Sequence, residues 1–427
     1  MKFSQYNLYT KCKDGMILFN VRLSKYVKLK DEESINHFEQ LNNGNMPLNE
    51  DDPMVKALIQ NGYIINDEID EYSEAQNDLA NHLESYQKSL HLLLYVTEQC
   101  NFRCVYCPEE HLNKTFSDEN WEALYKHIKN GVMTKKYESI DVSFFGGEPL
   151  LETQKIIPFL EKVYKLKELN SQFEIAHSIT TNGYLLTPDI YDKLTEFGMC
   201  HFQITVDGFA DTHDKMRPLA GGQPTWEKII ENLMYINSKK DDVVISLRTN
   251  YNSSNIDSLN KYKEWQKKTF DDSKFEFLYQ QVAKLSKHVP DEHVNDSESD
   301  KTTEITEDLS IGNKILKPFS YMCNSSYPNY YTISVDGNIS ICENLTGGSK
   351  DLFVGHLDSS GEFVFNDSYN AWVSDFETKD CRDCLIYPVC CARACPTKKV
   401  FSKDRQDCKI MKDRYVNRML HFVQNKM

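Results

Sequence analysis

Three cysteines define the first piece of chemistry. In the stretch Thr97-Glu98-Gln99-Cys100-Asn101-Phe102-Arg103-Cys104-Val105-Tyr106-Cys107, three and then two residues separate the thiols. A [4Fe-4S] cube ordinarily takes four thiolates. Three on one short loop leave one iron without a protein ligand and open to chelation, whereas four would close the cube for electron transfer alone. A zinc ion with a distant fourth ligand is the competing reading of the same spacing. Phe102 and Tyr106 alternate with the thiols, as expected of a loop that wraps and shields a cluster.

Further candidates stand at regular intervals downstream. Phe144-Phe145-Gly146-Gly147-Glu148-Pro149 joins glycines, which permit close backbone approach, to a carboxylate able to accept from an ammonium group. Thr181-Asn182-Gly183 and Val206-Asp207-Gly208 follow; on their own, Asn-Gly and Asp-Gly are ordinary turn pairs. Arg217 and Arg248 offer planar guanidinium forks suited to a carboxylate, or else to a structural ion pair. Eight of the 13 cysteines fall between Cys323 and Cys408, namely Cys323, Cys342, Cys381, Cys384, Cys390, Cys391, Cys395 and Cys408. That density marks a separate cysteine-organised unit. Cys381 and Cys384 alone would also suit structural zinc. Cys12 and Cys200 sit in strand-like contexts and are read as buried thiols.

The elements that must position these residues follow from periodicity. From His91 the runs LHLLLYVT, SIDVSFFG, FEIAHSITTNG, HFQITVDG, VVISLRTN and KFEFLYQQ alternate with helical patterns near 118–130, 153–168, 188–197, 225–238 and 256–269. Parallel strands need crossover connections of this length, so the pattern predicts α/β architecture, a partial (β/α)6 barrel of the TIM type. Chemistry in such folds gathers at the C-terminal strand ends, here TEQC, FFGGEP, TTNG, TVDG and RTN. Ahead of the barrel, YNLYTKCK, an Asp14-Gly15 turn and MILFN predict a hairpin with KYVKLK as a third strand. Helices around Ile35–Leu41 and Pro53–Asn61, a short GYIIND strand and a polar linker or exposed helix over Asp67–Glu84 complete that unit. Residues 291–308, strongly acidic, are expected to be an exposed loop. Three domains result: 1–88, 89–315 and 316–427.

Bulk properties exclude other classes. A net charge of -15 offers no broad basic field for nucleic acid. No apolar run approaches the ~20 residues of a membrane span. A cytoplasmic protein is expected, where clustered cysteines are metal ligands or catalysts rather than disulfides.

The three-cysteine spacing, with an aromatic directly before Cys107, closely resembles the radical S-adenosylmethionine superfamily. Gly146, Gly147, Glu148 and Pro149 resemble its glycine-rich motif, which binds the amino end of S-adenosylmethionine. Asn182 and Asp207 match later strand ends beside the ribose and methionine carboxylate, and related enzymes carry arginines where Arg217 and Arg248 stand. The late cysteines resemble the SPASM extension of peptide-modifying members, which holds two auxiliary [4Fe-4S] clusters and makes three in all. By that pattern Cys381, Cys384, Cys390 and Cys408 hold one, and Cys323, Cys342 and Cys395 the other, with an iron open to a substrate thiolate. Four residues rather than the family's three separate Cys390 from Cys395, so Cys390 and Cys391 can exchange roles.

Residues 1–88 resemble the winged-helix leader-recognition domain of maturases that act on ribosomally made peptides. The resemblance implies hydrogen abstraction from a precursor peptide by a 5'-deoxyadenosyl radical, fed by an external reductant such as flavodoxin or ferredoxin. A thioether or carbon-carbon crosslink is the expected product. An anaerobic sulfatase maturase, which makes formylglycine, is the second enzyme reading, although that family resembles this chain mainly from His91 onward. A noncatalytic iron-sulfur carrier or scaffold is the third, and it would have no use for Glu148 and the strand-end motifs.

Overall fold

The computed structural model describes residues 1–282, 317–343, 352–373, 377–395, 400 and 406–426; the acidic segment 291–308 lies outside the described residues. Two compact units share the chain: Met1–Ser85 with Glu307–Tyr327 and Trp372–Met427, and Tyr86–Thr306 with Pro328–Ala371. Among the described residues, no helix is long and apolar enough to cross a membrane.

The first unit opens with strand β1 (Lys2–Phe3). Strands β2 (Asn7–Cys12), β3 (Gly15–Asn20) and β4 (Lys25–Leu29) then form an antiparallel sheet in that order. Helices α1 (Glu32–Asn42) and α2 (Pro53–Gln60) follow, then β5 (Ile64–Ile65), which pairs with β1, and α3 (Glu71–Glu84). Aspartates start all three helices: Asp31, Asp52 and Asp70 each accept from a backbone N–H of the first turn. Cys12 pairs with Gly15, so the hairpin turn is Lys13-Asp14, one residue earlier than the sequence suggested. Gly15 is needed for another reason: a Cβ there would overlap the Leu29 carbonyl of β4.

Strand alternation sends Met16 and Leu18 to one face of this sheet, against Phe38, Leu41, Val55 and Leu58 of α1 and α2. Ile17, Phe19 and Val21 face the other way. There they meet Tyr72 and Ala75 of α3 together with Ile386, Tyr387, Val389, Tyr415 and Met419. Helix α3 is therefore a packed element rather than a linker or exposed helix. Its narrow Tyr72, Ala75, Leu79 stripe finds its partners partly in residues more than 300 positions away.

In the second unit six parallel strands run in the row β11-β10-β9-β8-β7-β6. They are β6 (Ser89–Thr97), β7 (Ser139–Gly146), β8 (Glu174–Thr181), β9 (Met199–Thr205), β10 (Val244–Tyr251) and β11 (Phe275–Gln281). The crossovers carry α4 (Asp118–Met133), α5 (Thr153–Tyr164), α6 (Pro188–Glu196), α7 (Ala210–Met216), α8 (Trp226–Ser238) and α9 (Ile256–Thr269). The row stays open, because β6 pairs on its far side with β12 (Tyr330–Ile333) instead of β11. Strands β13 (Asn338–Ser340), β14 (Gly355–Leu357) and β15 (Phe363–Phe365) extend that edge in antiparallel fashion, giving ten strands.

Side chains alternate strictly along the parallel strands. In β7, Ile140, Val142 and Phe144 are buried on the helix side, while Ser139, Asp141, Ser143 and Phe145 lie on the half-open face. That open face, continued by Thr180, Gln203, Thr205, Arg248 and Asn250, is polar and lines a cavity at the C-terminal strand ends.

Candidate functional site

The loop after β6 is tied down from two directions. On one side Phe102 bridges Leu219, Arg103 N–H donates to Pro218 O at 2.9 Å, and Val105 N–H donates to Met216 O at 3.0 Å. On the other, Gly147 N–H donates to Thr97 O at 2.9 Å and Glu148 N–H to Gln99 O at 2.8 Å. A Cβ on Gly146 would strike the Thr97 carbonyl, and one on Gly147 the Gln99 carbonyl. Both glycines let the two strand ends approach this closely, and φ at Gly146 is +134°.

A cavity of about 400 Å³ opens above this junction, and Cys100, Cys104 and Cys107 line it with Gly146, Gly147, Asn182, Arg217 and Arg248. None of the three thiols is in a disulfide. Burial pushes the Cys100 thiol up to about 12 and Cys107 to about 11. Cys104 is also raised by burial, against the pull of Arg217. Among the described residues, no three Cys, His, Asp or Glu side chains converge around one metal ion. A four-iron cube spreads its thiolates over separate corners, so three thiols that line one cavity fit such a cluster better than a single zinc.

Below the thiols the Tyr106 hydroxyl is a hub. It donates to the Asp207 carboxylate and accepts from Arg217 Nη1 at 2.6 Å and Asn250 Nδ2 at 3.0 Å. Asp207 Oδ1 also accepts from Asn250 N–H at 2.7 Å, and Arg217 Nη1 stands 3.9 Å from Asp207 Oδ2. Burial drives the Tyr106 and Asp207 values upward, and Arg217 opposes both shifts. For Arg217 burial acts to lower the value, but Cys104, Tyr106 and Asp207 together raise it. His213 Nδ1 accepts from Asp207 N–H at 3.1 Å, and Thr225 Oγ1 donates to Arg217 O at 2.8 Å, fixing both backbones. The hub thus fastens the cysteine loop to the ends of β9 and β10.

The Glu148 side chain is held by donors of the protein itself. It is fully buried behind the cavity wall and accepts from Leu150 N–H at 3.0 Å, Thr181 Oγ1 at 2.6 Å and Asn182 N–H at 2.7 Å. With three donors already in place, this carboxylate clamps β7 to β8 and leaves the cavity wall to the backbone of Gly146 and Gly147. Pro149 begins the 3-10 turn behind that wall. Asn182 reaches the cavity, its Nδ2 donating to Asn101 Oδ1 at 2.8 Å. Arg248 Nε donates to Asn250 Oδ1 at 2.9 Å.

Sequence reasoning missed Asn250, Gln203, Thr205, Gln280, Gln281, Glu109 and His111, all of which line the cavity. The strand-end RTN was the available signal for Asn250. Nothing comparable marked His111, whose Nε2 stands 3.6 Å from the Cys107 thiol.

The late cysteines divide between the units. Cys342 is buried just beyond β13 in the second unit. Cys323, Cys381, Cys384, Cys390, Cys391, Cys395 and Cys408 belong to the first. Cys381, Cys384 and Cys390 border the same apolar core, and Cys384 is under the electrostatic influence of Cys381 and Cys408. Cys391 has left-handed backbone (φ +47°) and turns into a different apolar cluster, with Leu79 and Met322. Cys12 and Cys200 do lie in strands, but both are half-buried; the Cys200 thiol donates to His177 O at 3.5 Å.

Comparison with known proteins now bears on this geometry. Residues 94–261 match the family model of the Radical SAM superfamily. The chain is 28% identical over 166 residues to the radical SAM cyclopropyl synthase TigE of Paramaledivibacter caminithermalis, covering 34% of each protein. It is 29% identical over 177 residues to the GTP 3',8-cyclase of Clostridium botulinum, covering 40% of this chain and 52% of the cyclase. The chain therefore spans between a third and about half of these relatives. Among solved structures, native anSMEcpe with bound AdoMet aligns with a TM-score of 0.56 at 17% identity, covering 79% of this chain and all of that one. The same protein with bound AdoMet and the Kp18Cys peptide aligns at 0.54 and 16% identity. Residues 94–261 therefore carry the features of a radical S-adenosylmethionine domain. That family implies one [4Fe-4S] cluster and S-adenosylmethionine.

Proposed function

We propose that this enzyme is a maturase of ribosomally made peptides, with its catalytic cluster held by Cys100, Cys104 and Cys107. The observation that carries the reading is that three thiols outside any disulfide and the Gly146-Gly147 turn line one cavity at the C-terminal strand ends. Cys100, Cys104 and Cys107 would hold a cluster there, which would supply the one electron that reductive cleavage of S-adenosylmethionine to methionine and a 5'-deoxyadenosyl radical requires, and that radical would take hydrogen from the peptide.

The chain's own residues divide the remaining work. With three thiols as ligands, Cys100, Cys104 and Cys107 would leave the cluster open to the cofactor. Backbone carbonyls of the Gly146-Gly147 turn receive the ammonium, while Glu148 acts through the backbone it clamps. Asn182 faces the ribose side. Asp207, which lies outside the cavity lining, acts through the Tyr106 and Arg217 network, and Arg217 and Arg248 supply positive charge toward carboxylates. Residues 1–85, a three-stranded antiparallel sheet with three helices, support the leader-recognition reading. Strand β4 has one neighbour among the described residues, and Tyr26 and Val27 stand exposed on it, an edge suited to strand addition by a leader. Cys381, Cys384, Cys390 and Cys408 are the proposed ligands of an auxiliary cluster, with Cys390 preferred over Cys391 because it borders the same apolar core as Cys381 and Cys384, while Cys391 packs in another. Two auxiliary clusters, a thioether or carbon-carbon product, and a flavodoxin- or ferredoxin-type reductant complete the proposal.

The sulfatase-maturase reading draws on the likeness to anSMEcpe along its whole length. One experiment separates the readings. Reduced, cluster-replete protein is incubated with S-adenosylmethionine and, separately, with a candidate precursor or a sulfatase-derived cysteine peptide. Formation of 5'-deoxyadenosine with a mass change only in the precursor supports the maturase. Formylglycine in the sulfatase peptide overturns it, and absence of 5'-deoxyadenosine removes both.

A further inference from the structure

The first unit joins two parts of the chain that sequence alone sets far apart. One face of the β2-β3-β4 sheet, formed by Ile17, Phe19 and Val21, is covered by α3 and by Ile386, Tyr387, Val389, Tyr415 and Met419. Each of these eight side chains is almost fully buried. Ile386, Tyr387 and Val389 lie between Cys384 and Cys390, while Tyr415 and Met419 follow Cys408 on the helix Gln406–Lys426. The covering layer is thus strung between the proposed auxiliary ligands.

Polar contacts repeat the connection. Glu377 accepts from the hydroxyls of Tyr72 and Tyr387 and from Gln76 Nε2 at 2.8 Å. Arg382, between Cys381 and Cys384, pairs with Asp70 at 2.6 Å and lies 5.3 Å over the Tyr72 ring. Its carbonyl accepts from Gln5 Nε2 at 3.1 Å.

The cysteine segment has little order of its own to offer. Over the described residues 377–395, its regular structure is a three-residue 3-10 turn, Lys379–Cys381, and a four-residue helix, Tyr387–Cys390. Isolated helices shorter than ~12 residues are marginal in water. What fixes Ile386, Tyr387 and Val389 must therefore be packing together with whatever binds the flanking thiols, and metal-binding free energy at such a site becomes folding free energy.

We propose that the Cys381, Cys384, Cys390, Cys408 site has a second function beside any redox role: when metallated, it holds down the cover of the N-terminal sheet, so that peptide recognition depends on its occupancy. This rests on the ligand reading given above and adds a structural consequence to it. The β2-β3-β4 sheet keeps its α1 and α2 face when the site is empty, because Phe38, Leu41, Val55 and Leu58 belong to the N-terminal segment itself. Loss of metal loosens the opposite face alone.

The test uses the full chain, handled anaerobically, and measures iron content with backbone hydrogen exchange of Gly15–Asn20. The double variant Cys381→Ala, Cys384→Ala is compared with wild type and with Cys104→Ala, which alters the other unit. Iron should fall in both variants, but exchange in β3 should accelerate at least tenfold only in the double variant. Wild type stripped of iron by a chelator should behave like the double variant, which covers the case of a variant that fails to fold. Iron loss with β3 exchange within twofold of wild type overturns the proposal while sparing the ligand reading. Unchanged iron in the double variant overturns the ligand reading, and the proposal with it.

Discussion

Tyr106→Phe removes one oxygen and keeps every proposed cluster ligand. In the native hub that oxygen makes three hydrogen bonds, to the Asp207 carboxylate, the Arg217 guanidinium and the Asn250 amide. Bonds to charged groups contribute about 1.5–3 kcal/mol each and neutral ones about 0.5–1.5. The sum overstates the loss, because Arg217 Nη1 and Asp207 Oδ2, 3.9 Å apart, can close on each other once the hydroxyl is gone. Recovery of one charged contact leaves a net destabilisation of about 2–4 kcal/mol. Urea unfolding of metal-free protein, followed by the fluorescence of Trp226 and Trp265 near this end of the barrel, reads the value directly. Iron incorporation should persist at a wild-type level, while S-adenosylmethionine binds about tenfold or more weakly as the loop loses its anchor. A loss below about 0.5 kcal/mol with unchanged cofactor affinity would refute the hub.

Three further outcomes are expected. Gly147→Ala places a methyl against the Gln99 carbonyl and should cut iron incorporation at the first cluster severalfold, measured by iron content and the visible absorption band. His177, fully buried, accepts from Val142 N–H at 3.1 Å, and burial lowers its pKa from 6.5 to about 4. Both states are neutral above the unfolded value, so its contribution is complete there and fades as pH falls from 6.5 toward 4, costing about 2 kcal/mol by pH 5; His177→Gln should flatten that part of the acid stability profile, and identical slopes would exclude the residue as its source. Tyr26→Glu on the exposed edge of β4 should weaken precursor binding without altering uncoupled 5'-deoxyadenosine release, as read by calorimetry and chromatography. It is a gentler probe than deleting residues 1–85, which would bare Ile386, Tyr387 and Val389.

Sequence reasoning reached what local rules dictate. The close spacing of Cys100, Cys104 and Cys107 singles out three thiols that line one cavity, and the six strand-helix repeats follow from alternation such as Ile140, Val142, Phe144 against Ser139, Asp141, Ser143. What escaped it depends on encounters between distant residues. The Tyr106 hydroxyl meets partners 101, 111 and 144 positions away, and no periodicity announces such a meeting. The motif points the Glu148 carboxylate toward a ligand, and nothing in it announces the backbone donors at Leu150 and Asn182 that the same carboxylate accepts from. Likewise the weak apolar stripe of α3 reads as a linker until Tyr387 is placed against it. Strand β12, embedded in the cysteine-rich third of the chain, gave no sign that it would pair with His91–Leu94.

The central claim is that a cluster on Cys100, Cys104 and Cys107 keeps one iron available to S-adenosylmethionine. Electron paramagnetic resonance of dithionite-reduced protein, recorded before and after the cofactor is added and paired with product analysis, tests it most directly. The account predicts a signal that changes on addition and 5'-deoxyadenosine in the product, both lost in Cys104→Ala. A signal indifferent to S-adenosylmethionine, with no 5'-deoxyadenosine formed, would contradict it.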